Sequence, residues 1–453
     1  MKKSLTLLAI LTFVTGLACG APDHQQTNIA KVYELVLEDY KALYPLGDDR
    51  QRNGLLSFEK TFMPKYCELP EIPQAVREKA AKLSFKNIGD PTVLEGLAGI
   101  VDASCDKYID QAYANFLVQL KKDVKIPEEP EKIDFVHSIP SGKCSKEMIV
   151  LTLLALYHLN GGNQQAGIRA MLACAGMAPA LTDGDFSKFD AGVSIRSQNC
   201  FANASKILLL CSENLSPSLK TLKKLAAVFA RLRAQIPPLS FEIKLLRNFF
   251  QNFYATYEHQ ASKIEGSEYS YALPILKEVS KRMEIKANEL CTPAIGYCDK
   301  PWSAGTFSRL QEIDAELDKL VIKSKSRMEK QDSVTEASLD WYELLADEFV
   351  VIGFHNVPNL YRRHVRVNQI IDGCLVAFAV KSYEKETGGL PENLDALQNW
   401  AGNDISVKDG FTGKNLVYSQ SPMRLFSCGP DMKPDTSDDI IFCPSEEENL
   451  SSY

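Results

Sequence analysis

The sequence predicts a mainly α-helical protein, an irregular helical bundle or a short solenoid, that ends in a small α+β module. Three observations lead to this prediction. Apolar residues recur at helical spacing from about residue 29 to residue 331, alternating apolar–polar runs are almost absent before residue 400, and short β-prone runs follow residue 402. We divide the chain into a signal segment (1–18), a helical body (19–335), a helical connector (336–365) and a C-terminal module (366–453). We expect the body and the module to have separate cores.

The first residues are typical of an export signal. A basic start precedes an apolar run from Leu5 to Val14, which is too short to span a bilayer, and small residues follow up to Cys19. The segment resembles a bacterial lipoprotein signal, and this resemblance implies cleavage after Ala18 and lipidation of Cys19. Ordinary cleavage one or two residues later is the alternative. Acyl chains on Cys19 would anchor the chain to a membrane.

The charge and the cysteine content indicate which partners and which cellular compartment the sequence favours. The net charge of −7, with acidic and basic residues interleaved, argues against a nucleic-acid partner. Twelve cysteines suit an exported chain, in which disulfides persist. The close pairs Cys291 with Cys298 and Cys428 with Cys443 are candidate disulfides, although connectivity cannot be deduced from sequence. Two further cysteines on apolar helix faces read as buried thiols; they are Cys174 and Cys374.

The predicted elements of the body are helices. A helix hairpin is expected where Ile149–Leu159 and Ala166–Met177 flank Gly161-Gly-Asn. The Ile149–Tyr157 run is half the length of a membrane span and reads as a buried helix. Three further apolar stripes at helical spacing are Val32, Leu35, Val36, Tyr40 and Leu43; Leu222, Leu225, Phe229 and Leu232; and Ile313, Leu317, Leu320 and Val321. A Pro- and Glu-rich stretch at 127–132 reads as a linker.

The module is predicted to be one long helix followed by a three-stranded antiparallel sheet. The helix runs from Arg366 to Tyr383, and the strand-like runs are Asn415–Tyr418, Met423–Cys428 and Asp439–Cys443. Between the last two runs, the loop 429–439 carries four carboxylates, whose mutual repulsion a cation would relieve. Calcium suits such a loop better than magnesium, because calcium takes six to eight oxygen ligands in a flexible cage. On chemistry alone, a solvated acidic turn without a bound ion explains this loop as well as a calcium site does.

The module resembles the globular region of the type II secretion major pseudopilins. The resemblance lies in Leu390-Pro-Glu-Asn-Leu-Asp-Ala-Leu397, Asp409-Gly-Phe-Thr-Gly-Lys-Asn-Leu-Val-Tyr418, Ser427-Cys-Gly-Pro-Asp431 and Asp438-Asp439. It implies a calcium site in which Asp431, Asp438 and Asp439 supply side-chain oxygens and Cys428 supplies its carbonyl oxygen. Asp435 has no counterpart. The apolar N-terminal pilus helix of that family is missing, and Gly410 stands where the family has proline.

No catalytic constellation is visible, and the expected role is binding or scaffolding at the cell envelope, with a protein partner there. A helical body with such a module resembles exported bacterial proteins of planctomycete-like lineages. One alternative is an accessory part of a type II secretion or pilus-like machine. Another is an envelope enzyme at the junction of body and module. Candidate groups for that enzyme are the basic junction residues His355, Arg362, Arg363 and His364 and the acids Asp340, Glu343 and Asp347.

Overall fold

Helices make up most of the described chain and a small antiparallel sheet follows them, so the predicted fold class is confirmed. The computed structural model describes residues 73–82, 91–120, 141–176, 202, 204–205, 218–234, 236–245, 247–248, 273–330, 346, 357–402 and 405–443. Several predicted features lie outside these residues: the signal segment with Cys19, the Val32–Leu43 stripe, the linker at 127–132, His355, and the acids Asp340, Glu343 and Asp347.

The N-terminal helices pack around the predicted hairpin. They are α1 (Gln74–Ala81), α2 (Pro91–Glu95), α3 (Ala103–Leu120), α4 (Ser141–Asn160) and α5 (Gln164–Ala175). The hairpin α4–α5 is confirmed: Asn163 caps α5 by accepting from the Ala166 N–H at 3.3 Å, and Gly162 takes the left-handed conformation that the turn requires (φ 79°). Helix α5 packs on both α3 and α4, with its small residues buried.

Three longer helices of the described body follow, namely α6 (Leu219–Arg233), α7 (Leu273–Cys298) and α8 (Ala304–Lys330), and residues 239–245 are also helical. Ser218 begins α6 by accepting from the Thr221 N–H at 3.2 Å. The predicted stripe on α6 is confirmed, because Leu222, Leu225, Phe229 and Leu232 are all buried. Among the described helices, none is long and apolar enough to cross a membrane.

The module consists of α9 (Val357–Thr387), α10 (Leu394–Ala401), β1 (Val417–Gln420), β2 (Met423–Ser427) and β3 (Ile440–Cys443). The strands pair antiparallel in the order β1-β2-β3, as predicted. Helix α9 begins at Val357, well before the predicted Arg366. The sheet lies on α9 at Gly373, where an added Cβ would overlap the ring of Phe442. This glycine allows β3 to approach the helix closely.

The expectation of separate cores is wrong, because the buried residues of body and module form one hydrophobic cluster. Helix α9 contacts α6 and α8 on the body side and β2 and β3 on the module side. Phe229 of α6 stacks on Phe378 of α9, with ring centroids 5.8 Å apart and an interplanar angle of 9°. Such an aromatic pair contributes ~0.5–1.5 kcal/mol beyond its buried area. The module therefore shares its central helix with the body.

Both candidate disulfides are wrong, since Cys298, Cys428 and Cys443 are free and buried thiols. Cys291 and Cys298 lie seven residues apart on α7, a rise of about 10 Å, which is beyond the reach of a disulfide. In the sheet, Cys443 pairs with Leu425 of β2, and Cys428, just past the end of β2, lies about three strand residues, or ~10 Å, beyond that pair. Cys174 and Cys374 are buried free thiols, as predicted.

Candidate functional site

The acidic loop, residues 429–439, leaves β2 and returns to β3 through a narrow neck. Gly429 lies at this neck with φ 62°, and a Cβ there would overlap the main-chain carbonyl of Asp438. Met432 and Asp435 also take positive φ values, 61° and 63°. Aspartate tolerates this left-handed conformation better than most residues. The loop is thus a tight structure in which the two strand ends almost touch.

Asp438 uses both carboxylate oxygens to hold the loop. Its Oδ2 accepts from the Asp431 N–H at 2.9 Å, and its Oδ1 accepts from the Thr436 hydroxyl at 2.6 Å. Asp431 makes a local turn, with its Oδ1 accepting from the Lys433 N–H at 2.8 Å. These bonds place Asp431 and Asp438 together across the loop. Three of the four carboxylate oxygens of Asp431 and Asp438 therefore already accept hydrogen bonds from groups of the loop.

Asp439 differs from the other carboxylates of the loop because one of its oxygens is buried without a partner. Its Oδ2 accepts from the N–H groups of Asp435 and Thr436 at 2.8 and 3.3 Å, whereas its Oδ1 is buried and has no hydrogen bond. Burial raises the pKa of Asp439, and the charges of Asp438 and Asp435 add to this shift. A buried polar atom without a partner is costly, and a cation or a proton would supply one.

Arginines neutralise part of the charge of the acidic loop. Arg424 of β2 forms an ion pair with Asp435 at 3.0 Å. From α9, the buried Arg366 donates to the Asp438 carbonyl oxygen at 3.4 Å. Arg362 lies over the Phe307 ring at 4.6 Å, and burial lowers its pKa while the nearby Asp438 charge raises it. The surroundings of the loop are therefore less negatively charged than its four carboxylates alone would suggest.

The structure brings the predicted ligands onto one loop without assembling them into a finished cage. Within the described residues, no group of three or more His, Cys, Asp or Glu side chains is arranged to hold a metal ion. The Asp438 carboxylate accepts from the main-chain N–H of Asp431, and the Asp439 carboxylate accepts from the main-chain N–H of Asp435. Cys428 lies at the start of the loop, where its N–H donates to Asp409. The orphaned Oδ1 of Asp439 is the feature of this loop that fits a bound cation.

Asp409 is a buried anchor of the loop, and sequence reasoning assigned it no role beyond its place in the motif. Its side chain accepts from the Phe411 N–H at 2.8 Å, the Ser427 hydroxyl at 3.0 Å and the Cys428 N–H at 2.9 Å. With three donors and 1% exposure, this carboxylate fixes the end of β2 where the acidic loop begins. An aspartate two residues before an aromatic in a turn is the only sequence signal for this role.

Gly410 also has a structural role. Gly410 donates its N–H to Oε1 of Gln369 on α9, and Gln369 is 2% exposed. A proline has no N–H and could not make this bond. The Nε2 of the same side chain is buried without a hydrogen-bond partner. Gln369 thus links α9 to the segment that leads into β1.

Trp302, between α7 and α8, joins the acidic loop to the body. Its indole N–H donates to the Pro430 carbonyl at 3.3 Å. Its ring stacks on Tyr361 of α9 at 5.3 Å and meets Phe411 edge-on at the same distance. Sequence reasoning missed this residue, because nothing local in Pro301-Trp302-Ser303 indicates a contact with a loop more than a hundred residues later.

Beside the basic junction lies an ion pair, and the junction itself contains a neutral histidine. Arg233 of α6 binds Asp372 of α9 through two hydrogen bonds of 2.9 and 3.3 Å. Burial, together with the Arg233 charge, lowers the pKa of His364 to about 3, so its imidazole is neutral at pH 7. Arg362 is committed to the Phe307 ring, as described above. Of the junction groups predicted for an enzyme, His364 and Arg362 are therefore part of the packing between helices.

In comparisons with known proteins, no protein-family model matches the chain, and neither a curated protein nor a solved structure matches it. The resemblances to pseudopilins and to lipoprotein signals therefore stay expectations from the sequence.

Proposed function

We propose that the protein is a lipid-anchored binding or scaffolding protein of the bacterial cell envelope, with a C-terminal module that calcium stabilises. The observation that carries the calcium part is the buried Asp439 Oδ1, which has no partner within a loop of four carboxylates. The chain would hold the ion through the carboxylates of Asp431, Asp438 and Asp439 and the carbonyl of Cys428. Bound calcium would supply positive charge to this acidic loop.

The scaffolding part rests on how firmly the module is held against the body. Trp302 contacts the acidic loop, α9 and the Phe411 segment at once, while Arg233 and Asp372 pair across the α6–α9 contact. These contacts are half-buried or buried, so they fix the relative position of the two regions better than exposed ion pairs would. A rigid joint of this kind suits a protein that presents a surface to a partner at the envelope.

The test of the ion site is thermal melting of the full mature chain in excess calcium, excess magnesium and excess chelator. A ligand bound only by the folded state stabilises it by ~2.7 kcal/mol at a hundred times its dissociation constant. We expect calcium to raise the melting temperature and magnesium to have a smaller effect. Asp439→Asn should abolish the calcium effect, because the amide can still accept from Asp435 and Thr436 but presents no carboxylate to the ion.

Asp435→Asn is the matched control in the same loop. Asparagine tolerates the positive φ at this position, and Asp435 pairs with Arg424 and is not among the predicted ligands. This variant should keep a calcium-dependent shift. If the unchanged chain melts at the same temperature with calcium and with chelator, the ion part of the proposal fails. Equal loss of the shift in both variants would mean that only the total charge of the loop matters.

The proposed location has its own test. The Cys19→Ala variant of the full precursor should lose acylation and move from the membrane fraction to the soluble fraction. Incorporation of a labelled fatty acid into the unchanged chain, and its absence from the variant, would support lipidation directly. A Cys19→Ala chain that still fractionates with membranes, without label in either chain, would overturn the anchor.

A further inference from the structure

The entrance of the acidic loop, residues 427–430, is held from outside the loop. Asp409 lies at the start of the turn that precedes β1, and its carboxylate accepts from the Ser427 hydroxyl at 3.0 Å and from the Cys428 N–H at 2.9 Å. The Ser427 hydroxyl oxygen in turn accepts from the Gly429 N–H at 3.3 Å. One buried carboxylate therefore holds three successive residues, directly or through Ser427, at the point where β2 leads into the loop.

The Asp409 carboxylate is not itself available to an ion. Its Oδ1 accepts from the Phe411 N–H and the Ser427 hydroxyl, its Oδ2 accepts from the Cys428 N–H, and the residue is 1% exposed. A cation that displaced these donors would leave two main-chain N–H groups and a hydroxyl buried without partners, which is costly. Asp409 therefore acts on the loop through the groups that it holds.

The hydrogen bond from Gly429 to Ser427 determines the direction of the Cys428 carbonyl. The Cys428 C=O and the Gly429 N–H belong to one trans peptide group, in which these two bonds point in opposite directions. Because the N–H is directed at the Ser427 hydroxyl, the carbonyl oxygen points away from it. This carbonyl is the main-chain calcium ligand proposed above. Its orientation thus depends on Ser427 and, through Ser427, on Asp409.

A second contact reaches the loop entrance from the same turn. Phe411, which follows Asp409 by two residues, meets the Trp302 ring edge-on with ring centroids 5.3 Å apart. The Trp302 indole N–H donates to the Pro430 carbonyl at 3.3 Å. Each of the residues 427–430 thus has a hydrogen bond that does not depend on an ion. A ligand group that is already ordered loses less conformational entropy on binding, and this increases affinity.

We propose that Asp409 and Ser427 are positioning residues of the calcium site, because they orient the Cys428 carbonyl before the ion binds. The inference rests on the proposed calcium site. It adds that calcium affinity is determined in part by a carboxylate that lies outside the acidic loop and does not contact the ion. Groups that orient metal ligands in this way typically contribute about 10–100-fold to metal affinity.

The experiment compares the calcium dissociation constants of the full mature chain and its variants, by competition with a chromophoric chelator. Ser427→Ala removes the acceptor of the Gly429 N–H and should increase the dissociation constant about 10-fold. Asp409→Asn places an amide NH₂ group against at least one of the three donors and should increase it about 10–100-fold. Urea denaturation in excess chelator measures the stability of each variant, so that binding is compared only where the chain is folded.

Ser382→Ala controls for the loss of a buried hydroxyl. Ser382 is 2% exposed and donates to the Phe378 carbonyl within α9, about 24 Å along the helix from Arg366, which contacts the loop. We expect Ser382→Ala to lose stability and to bind calcium as the unchanged chain does. The same increase of the dissociation constant in Ser382→Ala as in Ser427→Ala would overturn the inference, because the effect would then follow stability alone.

The outcomes separate this inference from the proposed function. If the unchanged chain binds calcium and both Ser427→Ala and Asp409→Asn bind it equally well, the ion site stands and the positioning role is overturned. If the unchanged chain does not bind calcium, the ion site is overturned and the positioning role with it. Should Asp409→Asn fail to fold, Ser427→Ala decides the question alone, since it removes one oxygen atom and keeps the Asp409 bond to Cys428.

Discussion

The amide of Gly410 offers a sharp test of how the module is joined to its helix. Gly410 donates to Oε1 of Gln369, which is buried in α9. Proline at this position removes the donor and leaves the buried carbonyl oxygen of Gln369 without a partner. A loss of this kind costs about 1–3 kcal/mol. We expect Gly410→Pro to lower the free energy of unfolding by that amount, measured by urea denaturation of the full mature chain with circular dichroism.

A second substitution separates the lost hydrogen bond from other effects of proline. Gln369→Met keeps a similar volume and removes the buried amide, so in the Gly410→Pro background it should recover most of the stability. Gly410 is an exposed residue, so we expect water to replace Gln369 as the partner of its N–H in Gln369→Met alone. We expect the two substitutions to couple by about 1 kcal/mol or more in a double-mutant cycle. A neutral Gly410→Pro, or a double variant no more stable than the single one, would refute the reasoning.

Two further predictions concern α9. Gly373→Ala should destabilise the protein by about 1–2 kcal/mol, because the added Cβ overlaps the buried Phe442 ring and this overpacking outweighs the gain in helix propensity. Gly296→Ala is the control: its Cβ meets open space, so it should stabilise the protein by ~0.5–1 kcal/mol. Urea denaturation measures both changes. The folded pKa of His364, about 3, lies below its ordinary value of 6.5, so the unfolded state takes up the proton first as the pH falls. The free energy of unfolding should therefore decrease as the pH falls from about 6.5 to 3, by up to ~1.4 kcal/mol per pH unit more than in His364→Gln. Urea denaturation of both chains at several pH values measures this difference. Equal pH slopes would contradict this origin.

The sequence predicts the described elements well where local patterns determine them. The α4–α5 hairpin follows from two apolar runs around Gly161-Gly-Asn, and the three strands follow from short β-prone runs separated by turn residues. The predicted start of α9 at Arg366 was wrong, because the basic stretch before it, Tyr361–Val365, was assigned to the connector. The N-terminal part of α9 is buried by residues distant in sequence: Tyr361 stacks on Trp302, and Arg366 lies beside the acidic loop. Local composition carries no record of such contacts.

The candidate site shows a similar division. Carboxylate density predicts an acidic loop between β2 and β3, but it does not predict which oxygens the loop's own donors use. Asp438 accepts from a main-chain amide and a hydroxyl, whereas Asp439 retains one buried oxygen without a partner. The predicted disulfides failed for a related reason, because nearness in sequence between Cys428 and Cys443 becomes distance along an antiparallel pair of strands.

Helix α9 makes the stability of the acidic loop a property of the whole protein. On its module side, Arg366 reaches the Asp438 carbonyl and Gln369 reaches Gly410; on its body side, Asp372 pairs with Arg233 within two turns of the same helix. A change that loosens the loop therefore acts on the helix that also packs against α6. Since the hydrophobic cluster is continuous across this helix, the effect of Asp439→Asn should appear in the helical signal of the entire chain, and a calcium-dependent shift should appear there too. Melting of the module alone, ahead of an unchanged body, would show that α9 does not couple the two regions.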